Sequence, residues 1–254
     1  MNRCGSPSDD VISSSSCDDP YDGLTGETWS AFYEAQFDYR SDASGIVELL
    51  SCRGLGRRVF EIGCGTGSLL IELCRIGCEC VACDRSESMV AISTERCRGA
   101  GVGARIHHVD RLPTDVGQFD CFVGQRMSLN GEALGSIYAL AARLLRPGGL
   151  LMISHWNAKR PQWLETELVS RLEVHSSGGV RACRLSGWVT TGNPHWWRFG
   201  LIGEKGGRLR LETRQFALWP IEDSEATAEL DRYGFSHAQL TQSLGVSVIA
   251  VYQP

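Results

Sequence analysis

The chain has 254 residues, a length that suits one α/β domain with an insertion. Of these residues 43% are hydrophobic and 22% are charged, an ordinary globular composition. The formal net charge of −5 argues against a broad nucleic-acid surface, so no nucleic-acid partner is expected. No segment reaches the ~18 apolar residues of a membrane span, and the N-terminus has no apolar signal region. A cytoplasmic protein without membrane association is therefore predicted.

The first half of the chain becomes regular after a polar start. Residues 1–19 are rich in serine and aspartate and are predicted to be a disordered tail. Residues 28–50 are predicted to form one or two helices, because apolar side chains recur there in part every three to four positions. Strands and helices then alternate, which favours a parallel sheet covered on both faces. The predicted strands are 59–62, 79–84, 106–109, 119–124 and 150–154, and the predicted helices are 68–74, 86–98 (with Ser86 as N-cap) and 133–145.

The alternation ends after residue 156. A helix is predicted first, then three extended segments with a hairpin turn, then a helix that Gly234 ends and a final antiparallel pair. The first helix is residues 162–174, the three extended segments are 180–190, 196–202 and 208–219, and the hairpin turn is 203–207. The later helix is residues 224–233, and the final antiparallel pair is 238–243 with 246–252. We predict a doubly wound, mostly parallel, seven-stranded sheet from residues 20–157 and 221–254. A helix and a small antiparallel sheet, residues 158–220, form an insert that serves as a substrate-binding cap.

The eleven cysteines include a group of four, Cys74, Cys78, Cys80 and Cys83, with a CxxC spacing at its end. Because residues 79–84 are predicted to be a strand, Cys80 and Cys83 should point to opposite faces of the sheet. Two such residues cannot share one tetrahedral zinc ion. These cysteines are interpreted as small buried hydrophobic residues, and no metal site is expected.

The most informative motif follows the first strand. Gly63, Gly65 and Gly67 occupy alternate positions before a helix, and Glu61 lies within the end of the strand. Glycines at a strand–helix turn let the backbone approach a ligand, and free N–H groups at the helix start favour negative charge. Dinucleotide enzymes use the spacing G-x-G-x-x-G, which differs from the G-x-G-x-G found here.

This E-x-G-x-G-x-G pattern resembles motif I of the class I S-adenosylmethionine (SAM) methyltransferases. Four further landmarks occur in the family's order: Asp84 after the second strand, Asp110-Arg111 after the third, Gln125 after the fourth, and Leu144-Leu-Arg-Pro-Gly-Gly149 before the fifth. The resemblance covers about residues 55–156 and the terminal helix and hairpin.

The resemblance implies that SAM is the cofactor and S-adenosylhomocysteine the product. It also implies that Glu61 orients the methionine ammonium, Asp84 the ribose and Asp110 the adenine. Taken alone, Asp84 could equally be an acid at the start of a helix. Asp110 could instead be a capping acid in a loop, and Met89 could instead be an ordinary core methionine. The candidate cofactor-binding residues are Glu61, Gly63, Cys64, Gly65, Gly67, Asp84, Arg85, Met89, Asp110, Arg111 and Gln125.

Methyl transfer requires little of the protein beyond holding an acceptor in line with the S–CH₃ bond. An amine needs no base, whereas a hydroxyl needs one within reach. His155 is the first candidate base, ahead of His195 and His108, although a loop histidine is an alternative for each. Tyr33 is a candidate for orienting the acceptor.

Aromatic residues are the candidates for binding the acceptor. Trp29, Tyr33, Trp156 and Trp197 could form apolar walls, although several tryptophans could instead form the core of the insert. The segment Phe37-Asp-Tyr-Arg40 and the insert resemble methyltransferases of the natural-product and amino-sugar type.

The function predicted from the sequence is methyl transfer to an amine or hydroxyl of a small molecule, a secondary metabolite, with a slight preference for nitrogen. The alternatives are an NAD-linked oxidoreductase, which the spacing disfavours, and a SAM-binding regulatory or partner protein without transferase activity. The sequence leaves open whether the protein forms a homodimer.

Overall fold

A computed structural model describes residues 19, 21, 23, 26, 28–29, 37–113, 115–126, 131–154, 171–177, 180–189, 194–205, 208–219, 221–240 and 248–254. Within residues 171–189 it describes the backbone pairing only. Most of the predicted tail, Tyr33, His155 and Trp156 lie outside the described residues. No helix in the described ranges is long and apolar enough to cross a membrane.

A seven-stranded sheet forms the larger layer, in the order β10-β11-β5-β4-β1-β2-β3. The strands β1 to β5 are mutually parallel, whereas β11 runs antiparallel to β5 and β10 antiparallel to β11. This confirms the predicted mostly parallel sheet. The strands are β1 (Arg58–Ile62), β2 (Glu79–Asp84), β3 (Arg105–His108), β4 (Phe119–Gly124), β5 (Leu145–Ile153), β10 (Phe235–Leu240) and β11 (Val248–Tyr252).

Within the described residues five α-helices accompany this sheet, and two of them begin at a side-chain cap. Asp38 caps α1 by accepting from Ser41 N at 3.0 Å, and Ser86 caps α3 by accepting from Met89 N at 3.0 Å, as predicted for Ser86. Gly234, with φ +79°, ends the last helical segment as predicted. The helices are α1 (Tyr39–Cys52), α2 (Ser68–Arg75), α3 (Glu87–Gly99), α4 (Gly131–Leu144) and α5 (Asp223–Leu230).

Both faces of the sheet are buried, and neighbouring residues of one strand serve opposite faces. Val59 packs with α1 and α2, whereas Phe60 packs with α4 and α5. Phe60 also stacks on Phe122, with 5.2 Å between ring centroids. Cys80 packs on the same face as Val59 and Cys83 on the same face as Phe60, which confirms that the two cysteines point to opposite faces of the sheet.

The second sheet has four antiparallel strands in the order β6-β7-β8-β9. They are β6 (Arg171–Ser177), β7 (Val180–Val189), β8 (His195–Lys205) and β9 (Arg208–Leu218). The prediction of a helix reaching residue 174 is wrong at its end, because residues 171–174 pair with β7. Leu172 and Val174 alternate with polar residues, as in a strand, and Gly178-Gly179 separates them from β7 in the sequence. Residues 162–170 lie outside the described part.

Strand β8 continues to Lys205, so the turn predicted at residues 203–207 is shorter than expected. Two strand starts also differ from the predictions by three residues or more. Strand β5 begins at Leu145, which pairs with Phe119, and the register then shifts so that Leu150 pairs with Cys121. Strand β10 begins at Phe235, directly after the helix-ending Gly234, rather than at residue 238. In both cases a partner strand extends the pairing beyond the apolar run that the sequence displays.

Candidate active site

A cleft of about 620 Å³ opens at the carboxyl ends of β1, β2 and β4. In open α/β sheets this edge is where ligands bind. The cleft brings together eight of the candidate cofactor residues, from three strand ends and the start of α3. They are Glu61, Gly63, Cys64, Gly65, Asp84, Arg85, Met89 and Gln125.

The glycine turn has the left-handed backbone that its composition predicts. Gly63, Gly65 and Gly67 have φ of +66°, +53° and +78°. A Cβ on Gly65 would meet no protein atom within 4 Å, whereas one on Gly67 would lie 3.1 Å from Ser93 Cβ. Gly65 therefore borders open space, and Gly67 allows α2 and α3 to pack closely.

Glu61 is a buried carboxyl group at the floor of the cleft, 4% exposed. Within the described residues its Oε2 atom has no hydrogen-bond partner. Burial and the neighbouring Asp84 raise the pKa of Glu61 to about 8, while the charge of Arg126 opposes the shift. A buried acid with an unused oxygen is suited to a cationic ligand group.

Asp84 holds the glycine turn and the start of α3 together. Its Oδ2 accepts from Gly65 N at 2.8 Å, and its Oδ1 accepts from Ser86 N at 2.9 Å. Burial raises the pKa of Asp84, and these backbone hydrogen bonds act in the opposite direction. Each carboxylate oxygen can accept a second hydrogen bond, so the group has capacity for a ligand hydroxyl.

Asp110 and Arg111 do not join the residues that line the cleft. They lie in a short 3₁₀ turn after β3, where the Asp110 side chain is 84% exposed and Arg111 pairs with Glu87. His108, a candidate base, is within 2.7 Å of the Arg85 carbonyl oxygen through its Nε2 atom. It therefore supports the end of β2.

An aromatic cluster forms the opposite wall of the cleft. Tyr21 lies 5.1 Å from Trp29 and 5.1 Å from Phe216, and Trp29 lies 5.7 Å from Phe216, between ring centroids. All three line the cleft, as does Trp219. The wall thus combines the N-terminal segment with β9. Trp197, a candidate acceptor residue, pairs with Trp188 and Phe216 in backbone register.

The N-terminal segment is also attached to α3. Asp19 Oδ2 accepts from Ser86 Oγ at 2.7 Å and from Ser88 N at 3.1 Å, and Asp19 Oδ1 accepts from Tyr21 N. Burial acts to raise the pKa of Asp19, but these hydrogen bonds lower it overall. Asp19 thus fixes one end of the segment that carries Tyr21 and Trp29.

Several lining residues were not proposed as site residues from the sequence, among them Tyr21, Tyr39, Phe216 and Arg126. Tyr39 belongs to the Phe37-Asp-Tyr segment, which could have indicated it. The sequence contains no signal for Phe216, because its place depends on the register of β9. Arg126 likewise follows β4 without a motif.

Comparisons with known proteins show which enzymes this chain is similar to. Residues 59–149 match the family model of a methyltransferase domain. The chain is 25% identical over 174 residues to a ubiquinone biosynthesis O-methyltransferase of Methylococcus capsulatus, covering 64% of this chain and 71% of that protein. It is 32% identical over 147 residues to an enzyme of the same description from Xanthomonas oryzae, covering 53% of this chain and 61% of that protein.

Solved structures share the fold at low sequence identity. The crystal structure of DesVI from Streptomyces venezuelae has a TM-score of 0.76 at 20% identity, covering 92% of this chain and all of that one. The sugar N-methyltransferase KedS8 from Streptoalloteichus has a TM-score of 0.73 at 20% identity, with both chains fully covered. The fold is that of the class I SAM-dependent methyltransferases, and residues 59–149 are similar to a methyltransferase domain.

Proposed function

We propose that this protein transfers a methyl group from SAM to an amine or hydroxyl of a small molecule, a secondary metabolite. The observation that carries the proposal is the cleft itself, where a bulk-free glycine turn lies beside the buried carboxyl of Glu61. In its carboxylate form Glu61 would repel a pyrophosphate and attract an amino-acid ammonium.

The chain's own residues would hold the two ends of the cofactor. Glu61 would accept the ammonium, Gly65 would let the backbone approach, and Asp84 would accept ribose hydroxyls. SAM when bound supplies an electrophilic sulfonium methyl group. The roles of Asp110 and Arg111 in adenine binding remain predictions, since both lie outside the cleft lining of this structure.

The acceptor would lie against the wall of Tyr21, Trp29, Phe216 and Trp219, beyond the end of β4. Aromatic walls exclude water and hold a ring in one orientation, and positioning of this kind can supply about 7–11 kcal/mol of a barrier. Tyr33, Trp156 and Trp197 are further candidates for this contact, and His155 for the base that a hydroxyl acceptor requires.

Among acceptors we favour an amine, since it needs no base. Solved structures with this fold include a sugar N-methyltransferase and an amino pentose methyltransferase, which supports the choice. The curated relatives, in contrast, are O-methyltransferases. We also propose that the protein acts in the cytoplasm and that residues 158–220 form the acceptor-binding cap.

The test compares two glycine variants of equal backbone strain. Gly65→Val places a branched side chain in the open cleft and should lower the affinity for S-adenosylhomocysteine at least about tenfold, a loss of about 1.4 kcal/mol. Gly101→Val has the same left-handed strain, with φ +68° and no atom near its Cβ, but lies away from the cleft. It should destabilise the fold equally and leave binding unchanged, as measured by calorimetry.

Transfer itself is tested with labelled SAM and two acceptor panels, amino sugars and phenols. Methylation of an amine supports the proposal as stated, and methylation of a hydroxyl moves it to O-transfer. Binding of S-adenosylhomocysteine without transfer to any small molecule of an extract would favour a SAM-binding regulatory protein instead. Wild-type protein that binds NAD but not S-adenosylhomocysteine would overturn the proposal.

A further inference from the structure

Arg126 has an unusual backbone. Among the described residues it is the one non-glycine residue with positive φ, at +56°. This left-handed conformation costs an L-residue with a Cβ about 1–2 kcal/mol. Such strain persists where the surroundings over-determine the conformation, and it occurs often beside functional sites.

The side chain of Arg126 is held by several partners at once. Its Nη2 donates to Asp42 Oδ2 at 2.8 Å and its Nη1 donates to Gln125 Oε1 at 2.6 Å. The guanidinium carbon lies 3.9 Å from the centroid of the Phe37 ring and 5.0 Å from that of Tyr39. The side chains of Arg126 and Asp42 are only 16% and 12% exposed, so solvent screens their pair weakly.

These contacts join separate elements at the cleft. Asp42 lies in the first turn of α1, and Gln125 directly follows β4. The backbone N–H of Arg126 donates to Ser154 Oγ, directly after β5. Arg126 and Tyr39 both line the cleft, so a change in this junction would move the cleft wall.

Arg126 also acts on the carboxyl of Glu61. Both residues line the same cleft. The charge of Glu61 also raises the pKa of four nearby thiols, those of Cys64, Cys80, Cys83 and Cys97. The groups that shift the pKa of Glu61 itself are Asp84 from β2, Cys74 from α2 and Arg126 after β4. Of these, only Arg126 favours the carboxylate form; burial, Asp84 and Cys74 all disfavour it.

We propose that Arg126 is a positioning residue with two effects on the cofactor site. Its pair with Asp42 fixes the start of α1 against the ends of β4 and β5, and its charge helps Glu61 to ionise when a cationic ligand group arrives. The inference rests on the proposed function, because the ligand it concerns is the amino-acid end of SAM.

The two effects are separated by the choice of variants. Arg126→Met removes both the ion pair with Asp42 and the positive charge. Asp42→Asn removes the ion pair and keeps the charge of Arg126. Arg126→Lys keeps a positive charge but lacks the planar guanidinium group that pairs with Asp42. Arg126→Gly relieves the backbone strain and serves where Arg126→Met fails to fold. Arg232→Met is the matched control, since Arg232 is an exposed arginine paired with Glu229 at 2.7 Å.

The measurement is calorimetric binding of S-adenosylhomocysteine from about pH 6 to about pH 9.5, with thermal unfolding as a check on folding. Arg126→Met and Arg126→Gly should lower the affinity about tenfold or more and move the pH midpoint of binding upward by about one pH unit. Asp42→Asn should lower the affinity without that upward shift. Arg126→Lys should keep the wild-type midpoint, and Arg232→Met should behave as wild type.

Two results would overturn the inference. One is an unchanged pH midpoint in Arg126→Met and Arg126→Gly, since a merely structural arginine would lower stability and affinity without moving the midpoint. The other is wild-type affinity in Asp42→Asn. Wild-type protein that fails to bind S-adenosylhomocysteine would instead refute the proposed function, and the inference with it.

Discussion

The pKa of Glu61 leads to a quantitative expectation for cofactor binding. With a pKa of about 8, Glu61 is protonated in most free molecules at neutral pH. A ligand ammonium binds the carboxylate form, so binding below pH 8 must release a proton. The carboxylate fraction rises about fiftyfold between pH 6 and pH 8, and the affinity for S-adenosylhomocysteine should rise by the same factor.

Calorimetry in buffers of different ionisation enthalpy measures this proton release directly. At pH 7 about 0.9 proton should leave per ligand bound, and at pH 8 about half a proton. In Glu61→Gln the release should vanish and the affinity should lose its pH slope below 8. The control is Glu48→Gln, an exposed glutamate on α1. Binding that is independent of pH in the wild type would refute the assignment of Glu61 to the ammonium.

The substitution Glu61→Gln should also change the stability of the fold, which it should raise at pH 8. Because the folded-state pKa of Glu61 is raised, the unfolded chain releases its proton at lower pH than the folded protein does. Stability is therefore lost as the pH rises from about 4.5 towards 8, by about 1.4 kcal/mol per pH unit. Glu61→Gln should remove this loss and unfold at a higher temperature than wild type at pH 8.

Two further predictions concern Asp84 and the cysteines. Asp84→Ala should lower the affinity for S-adenosylhomocysteine more than Ser86→Ala, which removes the cap of α3, worth about 1 kcal/mol, and one hydrogen bond to Asp19. Equal affinities in the two variants by calorimetry would argue against a ribose contact. Cys52 is exposed, whereas Cys121 is fully buried and burial raises its thiol pKa. Cys52→Ser should therefore lower the amplitude of the fast phase of thiol titration with Ellman's reagent, whereas Cys121→Ser should leave it unchanged. A lower fast-phase amplitude in Cys121→Ser would contradict the burial.

Much of the main sheet could be predicted because its signals are local. Strands β2 and β4 have the predicted bounds, since each is an apolar run between turn residues. The cap of α3 at Ser86 needs only one hydroxyl and a backbone N–H three residues later. In contrast, β6 was predicted in part as a helix because its stability comes from pairing with β7, and the beginning of β5 was missed because it depends on Phe119.

For the site, the sequence by itself determined the glycine turn, Glu61 and Asp84, because a backbone that needs positive φ beside a strand restricts the residue types directly. Only the tertiary structure decided the aromatic wall and the Arg126 junction. Tyr21, Trp29 and Phe216 are distant in the chain, and the pair of Arg126 with Asp42 spans 84 positions. Contacts of this kind depend on how the sheets and helices pack, which neither periodicity nor a motif encodes.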